Sequence, residues 1–180
     1  MKELKGTKTE KNLEEAFAGE SKAHTKYEYY ASQAKKDGYE QIAEIFLETS
    51  HNEKEHAKLW FKALHGGSIA HTLENLKDAI AGEDYETSEM YVKFAKEAHE
   101  EGFEELAKLF EGVGAIEATH RDRYRKLNDN IDKDLVFTSD GTAVWKCRNC
   151  GHIHIGAKAP EKCPVCDHPQ AFFEINAENY

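Results

Sequence analysis

A duplicated spacing of acidic and imidazole side chains constrains this sequence more than any other feature. The motif Glu-x-x-His occurs twice, as Glu53-x-x-His56 and Glu117-x-x-His120. Residues three positions apart lie on the same face of an α-helix, so each motif directs two polar side chains to one side. A glutamate within an apolar helical stripe precedes each motif, Glu20 in the first copy and Glu83 in the second. The sequence therefore predicts two similar helix pairs, each with three polar side chains on its apolar face.

The spacing of apolar and helix-breaking residues predicts four long helices. All three prolines lie at or beyond Pro160, and apolar residues before them recur at intervals of three and four. Glycines mark the predicted helix ends. The predicted helices run from about Thr9 to Lys36, from Tyr39 to Leu64, from Thr72 to Glu101 and from Phe103 to Asn128. Four helices of this length fit a bundle, so residues 1–130 are predicted to form a four-helix bundle domain.

The glutamates on the apolar faces predict a di-metal site. Bare carboxylates are costly to bury, whereas two divalent cations would neutralise them. One Glu from each of two helices, with Glu-x-x-His from each of the other two, is the ferritin-like di-iron pattern. Mixed carboxylate and imidazole ligands suit iron or manganese. One Glu-x-x-His can arise by chance in a chain so rich in both residues, but two copies on core faces favour a metal site. The predicted ligands are Glu20, Glu53, His56, Glu83, Glu86, Glu117 and His120.

The third helix offers one carboxylate more than this pattern needs. Glu86 follows Glu83 by three residues, so both can reach the metals. A surplus carboxylate opposite His56 predicts that one metal exchanges these ligands with its oxidation state, because ferric iron prefers carboxylate and ferrous iron accepts imidazole. Tyr27 and Tyr91 are predicted to orient the carboxylates through their hydroxyl groups. Packing as ordinary buried tyrosines is an equally good interpretation of both.

The four cysteines predict a second metal site. They are spaced as Cys147-x-x-Cys150 and Cys163-x-x-Cys166. Clustering of this kind in a chain expected in the cytoplasm indicates metal ligation rather than disulfides. Paired Cys-x-x-Cys turns place four thiolates tetrahedrally, which suits zinc or a single iron. A purely structural zinc ribbon shares this layout, whereas iron at four thiolates would be a one-electron carrier.

The segment before the cysteines breaks the helical pattern. Residues 131–141 are predicted to be a linker, and residues 142–180 a small four-cysteine β domain. Short strands are predicted at Val136-Phe137 and at Ala143-Val144-Trp145, on either side of a turn at Ser139-Asp140-Gly141.

Composition and charge narrow the expected location and partners. No apolar run approaches the length that spans a bilayer, and the first residues, Met1 to Gly6, lack the apolar stretch of a signal peptide. The expected compartment is therefore the cytoplasm, with no membrane partner. The formal net charge of −10 at pH 7 argues against nonspecific binding to nucleic acid.

Several stretches of the sequence together resemble the rubrerythrin family, and the resemblance covers essentially the whole chain. Its specificity comes from stretches in both predicted domains. They are Leu4–Asn12, Ala16–Ser21, Glu53–Lys58, Ala81–Glu83, Glu89–Tyr91, Trp145–Gly151 and Cys163–Cys166.

This resemblance implies a mainly α fold, a ferritin-like bundle followed by a rubredoxin-like domain, and an activity. All seven predicted ligands match the family's di-iron positions, and His56 matches the histidine that trades places with the residue matching Glu86. The family implies a peroxidase that reduces hydrogen peroxide at a di-iron oxo site in defence against oxidative stress. It also implies electron return through a mononuclear iron at the four cysteines, in a head-to-tail homodimer, with an external reductase or rubredoxin as donor. A ferroxidase or iron-handling protein, an oxygen reductase, and zinc at the cysteines remain alternatives.

One departure from the family pattern is the short connection between the second and third helices, His65 to His71. These helices run parallel in a ferritin-like bundle, so the chain must travel back along it. From His56 to Leu64 is roughly 12 Å of helix, and from Thr72 to Glu83 roughly 16 Å. Seven extended residues reach at most ~25 Å, which is less than the roughly 28 Å required. The sequence therefore raises the hypothesis of a homodimer that is domain-swapped between its helix pairs.

Overall fold

A computed structural model of the chain describes residues 3–179. Residues 1, 2 and 180 lie outside this range. They include the first and last residues of the predicted domains and the start of the segment that was examined for a signal peptide. The helices are α1 (Lys8–Lys36), α2 (Glu40–Leu64), α3 (Thr72–Tyr85), α4 (Tyr91–Glu100) and α5 (Glu104–Asp132). A five-residue π-helical segment, Glu86–Met90, joins α3 to α4. The predicted mainly helical fold is confirmed, and no helix in the described range is long and apolar enough to cross a membrane.

The chain divides into two compact units, Met1–His71 and Thr72–Tyr180. In the first unit α1 packs against α2, and the fully buried residues at their contact are small. Those in the described part of this unit are Ala31, Ala34, Ala43, Ser50 and Ala57. Because small side chains fill the contact, the two helices approach each other closely. The Ser50 hydroxyl donates to the His24 carbonyl across this contact, over 2.9 Å.

Helix ends follow the local signals in the sequence. The Thr7 side chain caps α1 by accepting from the backbone N–H of Glu10, and the Glu10 carboxylate accepts from Gly6. The pair resembles a capping box, except that the Glu10 carboxylate accepts from the residue before the N-cap and not from the N-cap itself. Gly38 and Gly102 follow α1 and α4 with φ of 83° and 82°, a left-handed conformation that glycine adopts without a Cβ penalty. The glycine stops predicted after the first and third helices are confirmed.

The third predicted helix is interrupted, which the sequence did not predict. The π-helical segment begins at Glu86 and ends at Met90. One extra residue in a turn rotates everything after it by about 100° relative to an uninterrupted α-helix. In α4, beyond the π segment, the buried positions are Ala95 and Ala98, whereas Phe94 is 36% exposed.

The C-terminal region is a three-stranded antiparallel sheet. Its strands are β1 (Thr138–Cys147), β2 (Ile153–Lys158) and β3 (Phe173–Ile175), in the order β2-β1-β3. Trp145 on the central strand is fully buried, and its indole N–H donates to the Gly156 carbonyl. The predicted turn at Ser139-Asp140-Gly141 is wrong, because these residues lie within β1. The pairing of β1 with β2 shifts register between Thr138 and Ala143, so the chain bulges there rather than reversing.

Candidate metal centres

The first helix pair brings three of the predicted ligands together. Glu20 lies on α1, and Glu53 and His56 lie on α2. The Nδ1 atom of His56 is 2.8 Å from Glu53 Oε2 and 3.9 Å from Glu20 Oε1. One ligand atom from each residue fits within a mutual separation of 4.8 Å. We call Glu20, Glu53 and His56 the first triad.

The second helix pair repeats this arrangement. Glu83 lies on α3, and Glu117 and His120 lie on α5. The Nδ1 atom of His120 is 2.7 Å from Glu117 Oε2 and 3.8 Å from Glu83 Oε2. We call Glu83, Glu117 and His120 the second triad. Each distance agrees with its counterpart in the first triad to within 0.1 Å, so the duplicated spacing in the sequence becomes duplicated geometry.

Electrostatics at the second triad favour a bound cation. Burial, followed by the negative charge of Glu117, raises the pKa of the Glu83 carboxyl, while His120 acts in the opposite direction. Glu83 Oε2 is also buried without a hydrogen-bond donor. A buried carboxylate oxygen without a donor, beside a second carboxylate, is suited to a metal ion that neutralises both. Carboxylate oxygens with imidazole nitrogen are donors that iron accepts, so the residues of the triads fit the metal that the sequence predicts.

The remaining predicted residues of the bundle site lie near the second triad or on α1. Glu86 is the first residue of the π segment and lies outside both triads. Tyr91 follows that segment, and its pKa is raised by burial and then by the charges of Glu86 and Glu117. Tyr27 on α1 is half-buried and packs against Phe46, with ring centroids 6.0 Å apart.

A glycine that sequence reasoning missed allows Tyr91 to approach α5. A Cβ atom built on Gly114 would lie 3.1 Å from the Cβ of Tyr91, tighter than almost all real contacts of this kind. Gly114 is itself buried. The absence of a side chain at this position therefore sets how closely Tyr91 packs beside Glu117, which is one turn further along α5. A glycine inside an apolar helical stripe is the sequence signal that could have indicated this close approach.

The four cysteines converge as predicted. The Sγ atoms of Cys147 and Cys166 are 3.7 Å apart, those of Cys150 and Cys163 are 3.6 Å apart, and all four lie within 4.8 Å of one another. A tetrahedron with metal–sulfur bonds of about 2.3 Å has edges of about 3.8 Å. The arrangement therefore fits a single tetrahedrally coordinated metal.

Two equivalent turns hold these thiols. The Cys147 N–H donates to the His152 carbonyl and Gly151 N–H donates back to Cys147, and the Cys163 turn repeats the pattern with His168 and Asp167. Gly151 and Asp167 both have positive φ, 79° and 61°. The residue after each Cys-x-x-Cys must therefore adopt the left-handed conformation, which glycine and aspartate tolerate better than other residues. Gly151 and Asp167, each directly after a Cys-x-x-Cys, are a sequence signal for these turns.

The pKa values of the Cys150 and Cys166 thiols are shifted in opposite directions. A hydrogen bond from the backbone N–H of His168 lowers the pKa of the Cys166 thiol to about 6. The backbone N–H of His152 lowers the pKa of Cys150 as well, but hydrogen bonds with the other thiols outweigh it and raise that pKa to about 12. Metal binding would deprotonate the four thiols, because thiolates and not thiols are the ligands.

Comparison with known proteins identifies the same two regions. A family model described as Rubrerythrin matches residues 11–128, and one described as Rubrerythrin, rubredoxin-like domain, matches residues 145–174. Rubrerythrin of Nitratidesulfovibrio vulgaris is 47% identical over 191 aligned positions, which span 100% of both chains. Rubrerythrin of Clostridium perfringens is 48% identical, again over 100% of both chains. A solved structure of fully reduced, all-ferrous nigerythrin is 33% identical over 96% of this chain and 91% of its own, with a TM-score of 0.37.

Proposed function

Because the chain belongs to the rubrerythrin family, we propose that it reduces hydrogen peroxide to water at a di-iron site in its helical bundle. Electrons reach this site through an iron held by the four cysteines. The family is of oxidoreductase type and carries iron. That peroxide is the substrate of this chain is our proposal. The activity would serve in defence against oxidative stress.

The observation that carries this proposal is the presence of two equivalent carboxylate–histidine triads and a four-thiol site in one chain. The triads offer matched donor sets for two metals. The cysteine geometry fits one tetrahedral metal. An enzyme that reduces peroxide must be re-reduced after every turnover, and a one-electron carrier in the same chain would deliver the electrons for this. A ferroxidase, which releases ferric iron, needs no such internal reductant.

The ligand residues would hold two irons, and the oxidation of both would provide the number of electrons that the reaction needs. Two ferrous ions bound there would supply the two electrons that break the O–O bond of peroxide. Peroxide takes up two electrons and two protons and leaves as two molecules of water, while both irons become ferric. Cys147, Cys150, Cys163 and Cys166 would hold an iron that supplies one-electron transfer from an external reductase or rubredoxin.

Residues around the ligands would control orientation and ligand exchange. We propose that His56 would hold a ferrous iron and Glu86 a ferric one, since ferric iron prefers carboxylate and ferrous iron accepts imidazole. Glu86 begins the π segment, where a helix departs from regular α geometry and where functional sites are often found. Burial and the charges of Glu86 and Glu117 raise the pKa of Tyr91, and its hydroxyl is protonated at neutral pH even at the ordinary pKa of tyrosine. That hydroxyl is therefore able to donate to a ligand carboxylate, and Tyr27 is proposed to do the same from α1.

The location, oligomeric state and domain boundaries of the protein are also proposals. We propose a cytoplasmic homodimer, in which the four-cysteine iron of one chain serves the bundle site of the other. The predicted boundaries of the bundle, linker and cysteine domain, at residues 130 and 142, belong to the same proposal. Neither a membrane nor nucleic acid is a proposed partner.

The proposed substrate is tested by stopped-flow oxidation of the fully reduced protein. The iron-loaded, anaerobically reduced protein is mixed with hydrogen peroxide or with oxygen at equal concentration, and visible absorbance follows the oxidation of the bundle iron. We expect reoxidation by peroxide to be at least about ten times faster, a difference of about 1.4 kcal/mol in activation free energy. Faster reoxidation by oxygen would instead identify an oxygen reductase or a ferroxidase.

A further inference from the structure

The two triads match in geometry, but different side chains lie beside them. Asp84 directly follows Glu83 on α3. Arg121 directly follows His120 on α5, and Arg125 lies about one turn further along. Asp84 Oδ1 accepts hydrogen bonds from Arg121 Nη1 over 3.2 Å and from Arg125 Nη2 over 3.1 Å. Two arginines of α5 therefore bind one carboxylate oxygen of α3, directly beside a proposed ligand on each helix.

A second aspartate joins the two arginines into a network. Asp122 Oδ1 accepts from Arg121 Nε over 2.9 Å and lies 3.6 Å from Arg125 Nη1. We call Asp84, Arg121, Asp122 and Arg125 the ionic clamp. Its two positive and two negative charges cancel, so it does not repel a metal cation overall. Isolated ion pairs at a surface contribute little, but here two arginines share one oxygen and the Arg121 side chain is only 20% exposed.

The ionic clamp fixes one helix against the other at the level of the second triad. Residues next to each other in a helix keep a fixed relative position. Because Asp84 is held against Arg121, the two ligand residues that precede them are held at a restricted separation as well. Groups that are held in place before binding lose less conformational freedom when a ligand arrives. The ionic clamp therefore favours metal binding at the second triad.

The first helix pair has a serine and two apolar residues at the equivalent positions. The residue after its α1 ligand is Ser21, whose hydroxyl donates to the Phe17 carbonyl of the same helix over 2.7 Å. The residue after its histidine is the buried Ala57, and Phe61, four residues later, packs against Phe17 with ring centroids 5.7 Å apart. Hydrophobic packing is non-directional, so these residues fix the ligands of the first triad less tightly.

The α3 glutamate and the histidine of the second triad are also less exposed than their counterparts. The His120 side chain is 36% exposed, against 51% for His56. The Glu83 side chain is 19% exposed, against 29% for Glu20. Charges that are less exposed to water attract a cation more strongly. This difference favours the second triad, although both triads consist of the same residue types.

We infer that the second triad binds metal before the first, because the ionic clamp holds its ligands in place. Asp84 is a positioning residue in this arrangement, since it acts through the two helices and is not itself a proposed ligand. The two metal positions of the chain therefore differ in affinity despite their matched donor sets. This inference rests on the proposed binding of metal at the triads, and it does not depend on peroxide as the substrate.

Partial loading with Co²⁺ tests the order of filling. The full-length protein, with its four-cysteine site already filled with zinc, receives one equivalent of Co²⁺ per chain and is crystallised. Anomalous scattering at the cobalt absorption edge then measures the occupancy beside His120 and beside His56. An affinity difference of about tenfold, the lower end of what groups supporting metal ligands provide, gives roughly threefold more cobalt beside His120 in the wild-type protein.

Substitutions of Asp84 separate the effect of the ionic clamp from that of the helix as a whole. Asp84→Ser introduces the residue type found at the equivalent position of the first pair, and we expect it to remove the preference for the position beside His120. Asp84→Glu keeps a carboxylate for the two arginines and should retain the preference at least in part. Asp78→Ser, at an exposed position of α3 outside the ionic clamp, should keep the wild-type distribution.

The distribution of cobalt decides the inference. Equal occupancy at the two positions in the wild-type protein would overturn it, and so would an unchanged preference in the Asp84→Ser protein. Loss of the preference in the Asp78→Ser protein would overturn it too, because the effect would then not depend on the ionic clamp. If cobalt fills the positions in the expected order but the reduced iron protein does not react with peroxide, the order of filling stands and the proposed function fails.

Discussion

Replacing Glu117 with alanine is expected to remove the bundle iron and to reduce peroxide turnover by at least about 100-fold. Glu117 Oε2 lies 2.7 Å from the Nδ1 atom of His120, and the carboxylate is 15% exposed. The substitution removes a ligand directly, whereas loss of a group one step further from a metal already costs about 10- to 100-fold in affinity or activity. Iron content per chain and the rate of peroxide consumption by the purified protein measure the effect.

A glutamate outside the triads on the same helix provides the control. Glu105 on α5 is exposed, and Glu105→Ala removes the same atoms from a position that no proposed ligand occupies. We expect this variant to keep its bundle iron and its turnover. Wild-type bundle iron in the Glu117→Ala protein would show that this carboxylate does not hold the metal.

Replacing Cys163 with serine is expected to abolish turnover with an external electron donor while sparing a single reaction with peroxide. Cys163 is fully buried, and its Sγ lies 3.6 Å from that of Cys150. A hydroxyl in place of this thiolate breaks the tetrahedral site, and the electron relay stops. The protein should lose the red colour expected of a ferric four-cysteine centre. Bundle iron that has been reduced chemically should still be oxidised by peroxide at the wild-type rate.

The matched control changes the same turn without changing a ligand. Val165 lies between Cys163 and Cys166 and is 68% exposed, so Val165→Ser introduces a hydroxyl at a position that faces solvent. This variant should retain the four-cysteine metal and donor-dependent turnover. If Cys163→Ser kept full donor-dependent turnover, the cysteine site would only stabilise the fold and would not carry electrons.

Sequence patterns predicted those features that depend on neighbouring residues in one helix or turn. Glu53 and His56 lie together because three residues nearly complete a helical turn, and the same holds for Glu117 and His120. The ends of α1 and α4 follow from glycines that adopt positive φ. The Cys-x-x-Cys pairs likewise form local turns whose hydrogen bonds repeat. In each case the signal and the structure it specifies lie within a few residues.

Features that depend on longer-range packing were not predictable in this way. The π segment from Glu86 to Met90 shares the periodic pattern of an ordinary helix, and nothing in its composition signals the wider turn. Ser139 to Gly141 were predicted to form a turn but lie in β1, at the point where its pairing with β2 shifts register between Thr138 and Ala143. Gly114 in its helical stripe signals a close approach, but its partner Tyr91 lies on another helix and could not be identified from neighbouring residues.

Anomalous scattering from crystals of the iron-loaded protein, recorded at the iron and zinc absorption edges, is the most direct test for iron at the bundle site and at the four cysteines. We predict two iron positions about 3.5–4 Å apart, surrounded by Glu20, Glu53, His56, Glu83, Glu86, Glu117 and His120. We predict a further iron among the four cysteines. A single metal between the triads would contradict the proposed di-iron site. Zinc in place of iron at the four cysteines, in protein that turns over peroxide, would contradict the proposed electron relay.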